Sequence, residues 1–71
     1  MTPQAFSEAL ERLNVAKQKE AATFLCVAQS RISDYRSGKR TVPDYIEASL
    51  QAHLLLSAEQ LATLRQLRGV D

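Results

Sequence analysis

The stretch Gln18-Lys-Glu-Ala-Ala-Thr-Phe-Leu-Cys-Val-Ala-Gln-Ser-Arg-Ile-Ser-Asp-Tyr-Arg-Ser37 decides the fold. Ala21, Ala22 and Leu25 recur at helical spacing as an inward stripe while Lys19, Glu20 and Thr23 fall elsewhere, which predicts a short helix from about Gln18 to Leu25. After Cys26, Val27 and Ala28 a second helix is expected from Gln29 or Ser30 to about Ser37, with Ile32 and Tyr35 inward. Gly38 is placed to stop it in a left-handed conformation. Two short helices that cross at a wide angle need a small residue where they touch, which Ala22 supplies. They also need apolar residues at the turn and on the second helix, which Val27, Ile32 and Tyr35 supply. Residues 18–37 therefore have the anatomy of a helix-turn-helix.

Outward from that motif the chain continues to read as helices joined by short turns. Thr2 and Pro3 look like a cap and a first helical position, and Phe6, Ala9, Leu10 and Leu13 follow at helical spacing, so a first helix should end near Leu13 and Asn14. The segment Gly38-Lys39-Arg40-Thr41-Val42-Pro43 is a basic turn. Pro43 opens a helix in which Ile46, Leu50 and Leu54 stack, with Asp44 and Glu47 at its N-terminal dipole end. Ser57 to Gln60 matches a capping box, and a last helix carries Leu61, Leu64 and Leu67 to Gly69, with Arg65 and Arg68 in its final turns. With two Gly, two Pro and no linker-like tract, the expectation is all-α. It is a compact bundle of four to five short helices forming one domain over 1–71, with 43–68 supplying core and a possible dimer contact.

Seventy-one residues, 45% of them hydrophobic, leave room for one small core and little wall for an active-site cleft, which favours a binding module over an enzyme. The single Cys26 permits no intramolecular disulfide, and no Cys/His cluster offers structural zinc ligands, which suits a reducing, cytoplasmic setting. The N-terminus lacks a basic start followed by an apolar run, and no stretch approaches a membrane span, so neither secretion nor a membrane is expected. His53 has no partner at ligand spacing and reads as a surface or edge-of-core residue rather than a metal ligand or catalyst. Ser-His-Asp and phosphate-loop arrangements are not identifiable. No cofactor, metal or small-molecule ligand is expected.

The formal net charge of +1 is unevenly spread. Arg12, Lys17, Lys19, Arg31, Arg36, Lys39 and Arg40 face only Glu20 and Asp34 between positions 12 and 40. Elsewhere Arg65 and Arg68 meet Glu8, Glu11, Asp44, Glu47, Glu59 and Asp71. A basic middle with acidic ends points to a polyanionic partner; the alternative is a solvated surface with accidental clustering.

The segment QKEAATFLCVAQSRISDYRSGKR resembles the helix-turn-helix of the Cro/λ-repressor (XRE-like) family of small DNA-binding regulators. The resemblance covers about residues 13 to 56. It implies a λ-repressor-like bundle whose second motif helix enters the major groove of double-stranded DNA, in a homodimer on a two-fold symmetric operator. The length is similar to that of the single-domain members, the Cro-like phage repressors and operon autorepressors of phage and plasmids. Two departures stand out. Cys26 occupies the turn position where the family usually has Gly, which implies either a positive φ at some cost or a wider, distorted turn. Ala28 stands where a Ser or Thr usually caps the recognition helix. The loop from Asn14 to Lys17 is also about one residue longer than is common.

With Ile32 and Tyr35 pointing in, Ser30, Ser33, Asp34 and Ser37 point out and Gln29 and Arg31 flank them; these six are the base-reading candidates. Arg31 is the first choice for a strong contact, with a phosphate contact as its alternative, and Asp34 either reads a base or orients a basic side chain. The resemblance implies that Gln18, opening the first motif helix, meets a phosphate. Lys17, Arg36, Lys39 and Arg40 lie just before or after the motif as further phosphate contacts. Tyr35 reads as core, and Cys26 as a bystander. Leu61, Leu64, Leu67 and Val70 show more apolar surface than so small a bundle covers, which suggests packing on a second copy; the alternative is that they fill the monomer's own core. A rival function keeps the fold as a protein-interaction module, such as an antitoxin whose leucine-lined last helix grips a partner, with DNA binding as autoregulation.

Overall fold

A computed structural model describes residues 1–70. The chain forms five α-helices: α1 (Pro3–Arg12), α2 (Gln18–Leu25), α3 (Gln29–Ser37), α4 (Asp44–Leu54) and α5 (Ala58–Leu67). No strand occurs among the described residues, and no helix is long and apolar enough to cross a membrane. The all-helical bundle expected from the sequence is the observed architecture. α2 and α3 pack on each other, and both α3 and α4 lie against α1.

Three of the five helices stop by one device. The chain turns left-handed at Asn14 (φ 62°), Cys26 (φ 59°) and Gly69 (φ 82°). The amide of the following valine then donates to the carbonyl five residues back: Val15 to Leu10 at 3.0 Å, Val27 to Ala22 at 3.1 Å and Val70 to Arg65 at 2.8 Å. Each of the three valines folds against the core, as the Schellman termination requires of the residue after the left-handed one. The turn between α2 and α3 is thus tight, and the wider turn considered for Cys26 is not formed. Cys26 bears the left-handed conformation itself, at a cost of about 1 kcal/mol for a residue with a Cβ. Gly38 ends α3 at φ 81°, and a Cβ there would stand 3.3 Å from Pro3 Cγ, so a side chain would be strained and crowded against the start of α1.

Phe6, Leu10, Leu13, Val15, Phe24, Ile32 and Leu50 are fully buried. Phe6 meets Tyr35 edge-on, with ring centroids 5.5 Å apart at 78°, which places the Tyr35 ring in the core as expected. Packing settles three expectations. The α2 stripe is completed by Phe24 rather than Leu25, which is only half-buried: both lie one turn from Ala21, and the larger ring takes the interior. Of the surface and edge-of-core positions expected for His53, the core one is taken, its ring 5.1 Å from that of Phe24. Val70 and Leu61 fill the monomer's own core.

Candidate nucleic-acid interface

Ile32 and Tyr35 anchor α3 to the bundle, and this leaves Gln29, Ser30, Arg31, Ser33 and Ser37 exposed along its outer side. Serines are short, so the reach of this face rests on Gln29, Arg31 and whatever the flanking turns add. α3 starts at Ala28 with no side-chain cap and no acidic residue in its first turn. Its first carbonyl bonds, from Arg31 and Ile32 to Ala28, leave the amides of Gln29 and Ser30 outside the helical ladder. α2 likewise starts at Lys17 without a side-chain cap.

Arg36 reaches from the last turn of α3 to donate to the Ala16 carbonyl at 2.6 Å. That bond sets the start of α2, with exposed Lys17 and Gln18, beside the end of α3. One guanidinium nitrogen of Arg36, Nη2, thus has a backbone partner in the loop before α2. Lys17, Arg31 and Lys39 are exposed, and among the described residues none of them enters an ion pair.

Asp34 does not point freely outward. Its carboxylate Oδ2 accepts from Arg40 Nε at 3.1 Å. Its carbonyl accepts from Ser37 Oγ at 3.2 Å and from the Arg40 amide at 3.3 Å. The basic turn is thereby folded back onto the end of α3 with Asp34 as its hub. The basic side chain that Asp34 engages is Arg40.

Two arginines at the end of α5 bond backbone carbonyls around α2. Arg65 Nη1 donates to the Leu13 carbonyl at 3.1 Å, and Arg68 Nη1 to the Phe24 carbonyl at 2.8 Å. The Arg68 guanidinium also lies 4.8 Å over the Phe24 ring, a cation on an aromatic face. His53 sits against the same ring, and its Nδ1 is buried with no hydrogen-bond partner. Burial, and secondarily the Arg68 charge, hold the His53 pKa below 6.5.

Of the three leucines assigned to a dimer contact, Leu61 is buried and is withdrawn, because it already packs within the monomer. Leu64 is half-buried, and Leu67 is 79% exposed. A shallow groove beside α5 is lined by Leu56, Leu64 and Leu67, and Leu55, at the α4–α5 corner, is 88% exposed. Its exposure is not legible in the sequence, where Leu54-Leu55-Leu56 before the Ser57 cap is an unbroken apolar run. Among the described residues no cluster of three His, Cys, Asp or Glu side chains stands ready to hold a metal ion. No protein family, curated protein or solved structure matches this chain.

Proposed function

We propose that this chain is a sequence-specific DNA-binding regulator of transcription. In this proposal it is a homodimeric repressor of the Cro/λ-repressor type that lays α3 in the major groove of an inverted-repeat operator in the cytoplasm. The observation that carries the proposal is the outer side of α3: a polar, uncapped, acid-free helix start set on a rigid core, with the start of α2 drawn alongside its end by Arg36. Gln29, Ser30, Arg31, Ser33 and Ser37 would meet base edges, where Gln suits adenine and Arg suits guanine. Lys17, Gln18 and Lys39 would meet phosphates, adding affinity without sequence information. Arg36 would hold the α2 start in place. The work is recognition rather than catalysis and needs no cofactor.

The size of the molecule and its exposed leucines support the homodimer of this proposal. With extents of 33 × 21 × 18 Å, two copies set end to end along the long axis would come close to the roughly 34 Å between successive major-groove faces. Leu55 and Leu67, both largely exposed, are the apolar surface such a pairing would cover. The same two leucines also support a second reading, a protein-interaction module that grips a different partner, as an antitoxin does. Selection of random duplex DNA by the purified protein at near-physiological salt tests the proposal. Recovery of a palindrome with half-sites one helical turn apart is expected; purely salt-sensitive bulk binding overturns the stand-alone repressor in favour of the partner-dependent module.

A further inference from the structure

The pairing of Asp34 with Arg40 changes what Arg40 is equipped to do. Asp34 lies on the outer face of α3, one turn from Ser30 and three residues from Ser37, and its side chain is 23% exposed against 52% for Arg40. The bond uses the guanidinium Nε. Among the described residues Nη1 and Nη2 carry no hydrogen bond, so the terminal edge of the fork is free. Two parallel N–H donors at that edge fit two kinds of acceptor pair, the oxygens of a phosphate or the O6 and N7 of guanine. The carboxylate decides between them. A guanidinium already neutralised by Asp34 has little net charge to offer a phosphate, and the carboxylate repels the anion. Guanine O6 and N7 are neutral acceptors and meet no such repulsion. Lys39, one residue earlier and unpaired, has the opposite character and suits a phosphate.

Resting on the DNA-binding function proposed above, we propose that Arg40, aimed by Asp34, reads a guanine in the major groove at the C-terminal end of α3. Arg40 is then a base-reading residue contributed by the turn, and Asp34 is its positioning residue rather than a base reader. The outer face of α3, short of reach where it carries serines, receives from the turn a long side chain held in one direction. Fixing a flexible arginine before binding removes part of the ordering cost of the contact.

The test uses the operator half-site recovered by selection, with each guanine replaced in turn by 7-deazaguanine, which lacks the N7 acceptor. For the unmodified protein, one replacement is expected to weaken binding roughly tenfold. That replacement should have no further effect on Arg40→Ala, and the position should differ from the one lost in Arg31→Ala. Arg40→Ala should leave the salt dependence of binding unchanged. Asp34→Ala should lose the same guanine preference while steepening the salt dependence by about one ion, as the freed cation turns to phosphate. If Arg40→Ala instead weakens all sequences evenly and flattens the salt dependence by about one, Arg40 binds phosphate and the inference is overturned, while the DNA-binding function stands. If no 7-deazaguanine replacement is silent in Arg40→Ala, the inference is likewise overturned. If the unmodified protein selects no sequence at all, the function falls and the inference with it.

Discussion

At the starts of α1 and α5 a side-chain oxygen takes up a free amide, whereas α2 and α3 begin without one. Thr2 Oγ1 accepts from Ala5 at 3.0 Å. Ser57 Oγ accepts from Gln60 at 3.1 Å, and the Gln60 side chain returns the bond to the Ser57 amide at 3.0 Å. At Lys17 and Ala28 no side chain does this. α4 also lacks a cap, but Asp44 and Glu47 stand in its first turn, where carboxylates complement the dipole. α2 keeps Glu20; only α3 has neither cap nor acid. A cap is worth about 1 kcal/mol, and a small domain has little stability to spare. Each of the other helices has a cap or an acid in its first turn, and α3, the helix whose exposed start would meet a polyanion in the proposed function, has neither. That distribution supports the proposed binding face.

The contrast is sharpest when one substitution is made on each side of it. Arg31→Ala should lower operator affinity by about 1 to 3 kcal/mol and relax one base position, with little change in the thermal midpoint. Ser57→Ala should do the reverse, costing about 1 kcal/mol of stability with operator affinity intact. Titration of labelled operator, beside thermal unfolding followed by circular dichroism, reads both. Loss of affinity in Ser57→Ala at a temperature where it is fully folded would break the division between the two regions. Ala28→Asp tests the uncapped start directly. It supplies the missing acceptor and should raise stability by about 1 kcal/mol, yet lower DNA affinity roughly tenfold by placing an anion where phosphate would lie. A variant that gains stability and keeps full affinity would show that the open amides of Gln29 and Ser30 serve no ligand. Cys26→Gly, at the turn, should raise stability by about 1 kcal/mol by relieving the left-handed Cβ and leave binding unchanged.

Helix bounds were legible because punctuation marks them. Gly38, Pro43 and the Ser57 capping box stand where helices end or begin, and the predicted α2 span is the observed one. What escaped sequence reading is contact between distant segments. Arg65 reaches the Leu13 carbonyl across 52 residues and Arg68 the Phe24 carbonyl across 44, and a backbone acceptor leaves no residue-type signal at its own position. The bond from Arg36 to the Ala16 carbonyl, 20 residues away, escaped for the same reason. A helical wheel sets Phe24 and Leu25 about 100° apart, one on either side of Ala21, and the partners that surround the Phe24 ring, His53 and Arg68, come from distant parts of the chain. The Asp34–Arg40 pair was half legible: a carboxylate six residues before an arginine across a glycine turn suggests a pairing, but its use of Nε needed the structure.

The smallest effect expected lies at His53, on α4. His53 is buried with an unpartnered Nδ1, and the charged group facing it is Arg68 from the turn after α5; from α2 it meets only the Phe24 ring. Burial first, and the Arg68 charge second, lower its pKa in the folded protein below 6.5. Above that value both folded and unfolded chains hold a neutral imidazole, and the group contributes no pH dependence. As pH falls through 6.5 the unfolded chain takes up the proton first, so stability declines. The decline levels off once pH is below the lowered folded value, where both states are charged. Denaturant unfolding at closely spaced pH values should show this decline in the native protein and its absence in His53→Phe over the same window, before the carboxylates begin to titrate. A His53→Phe profile that keeps the decline would assign it to another group.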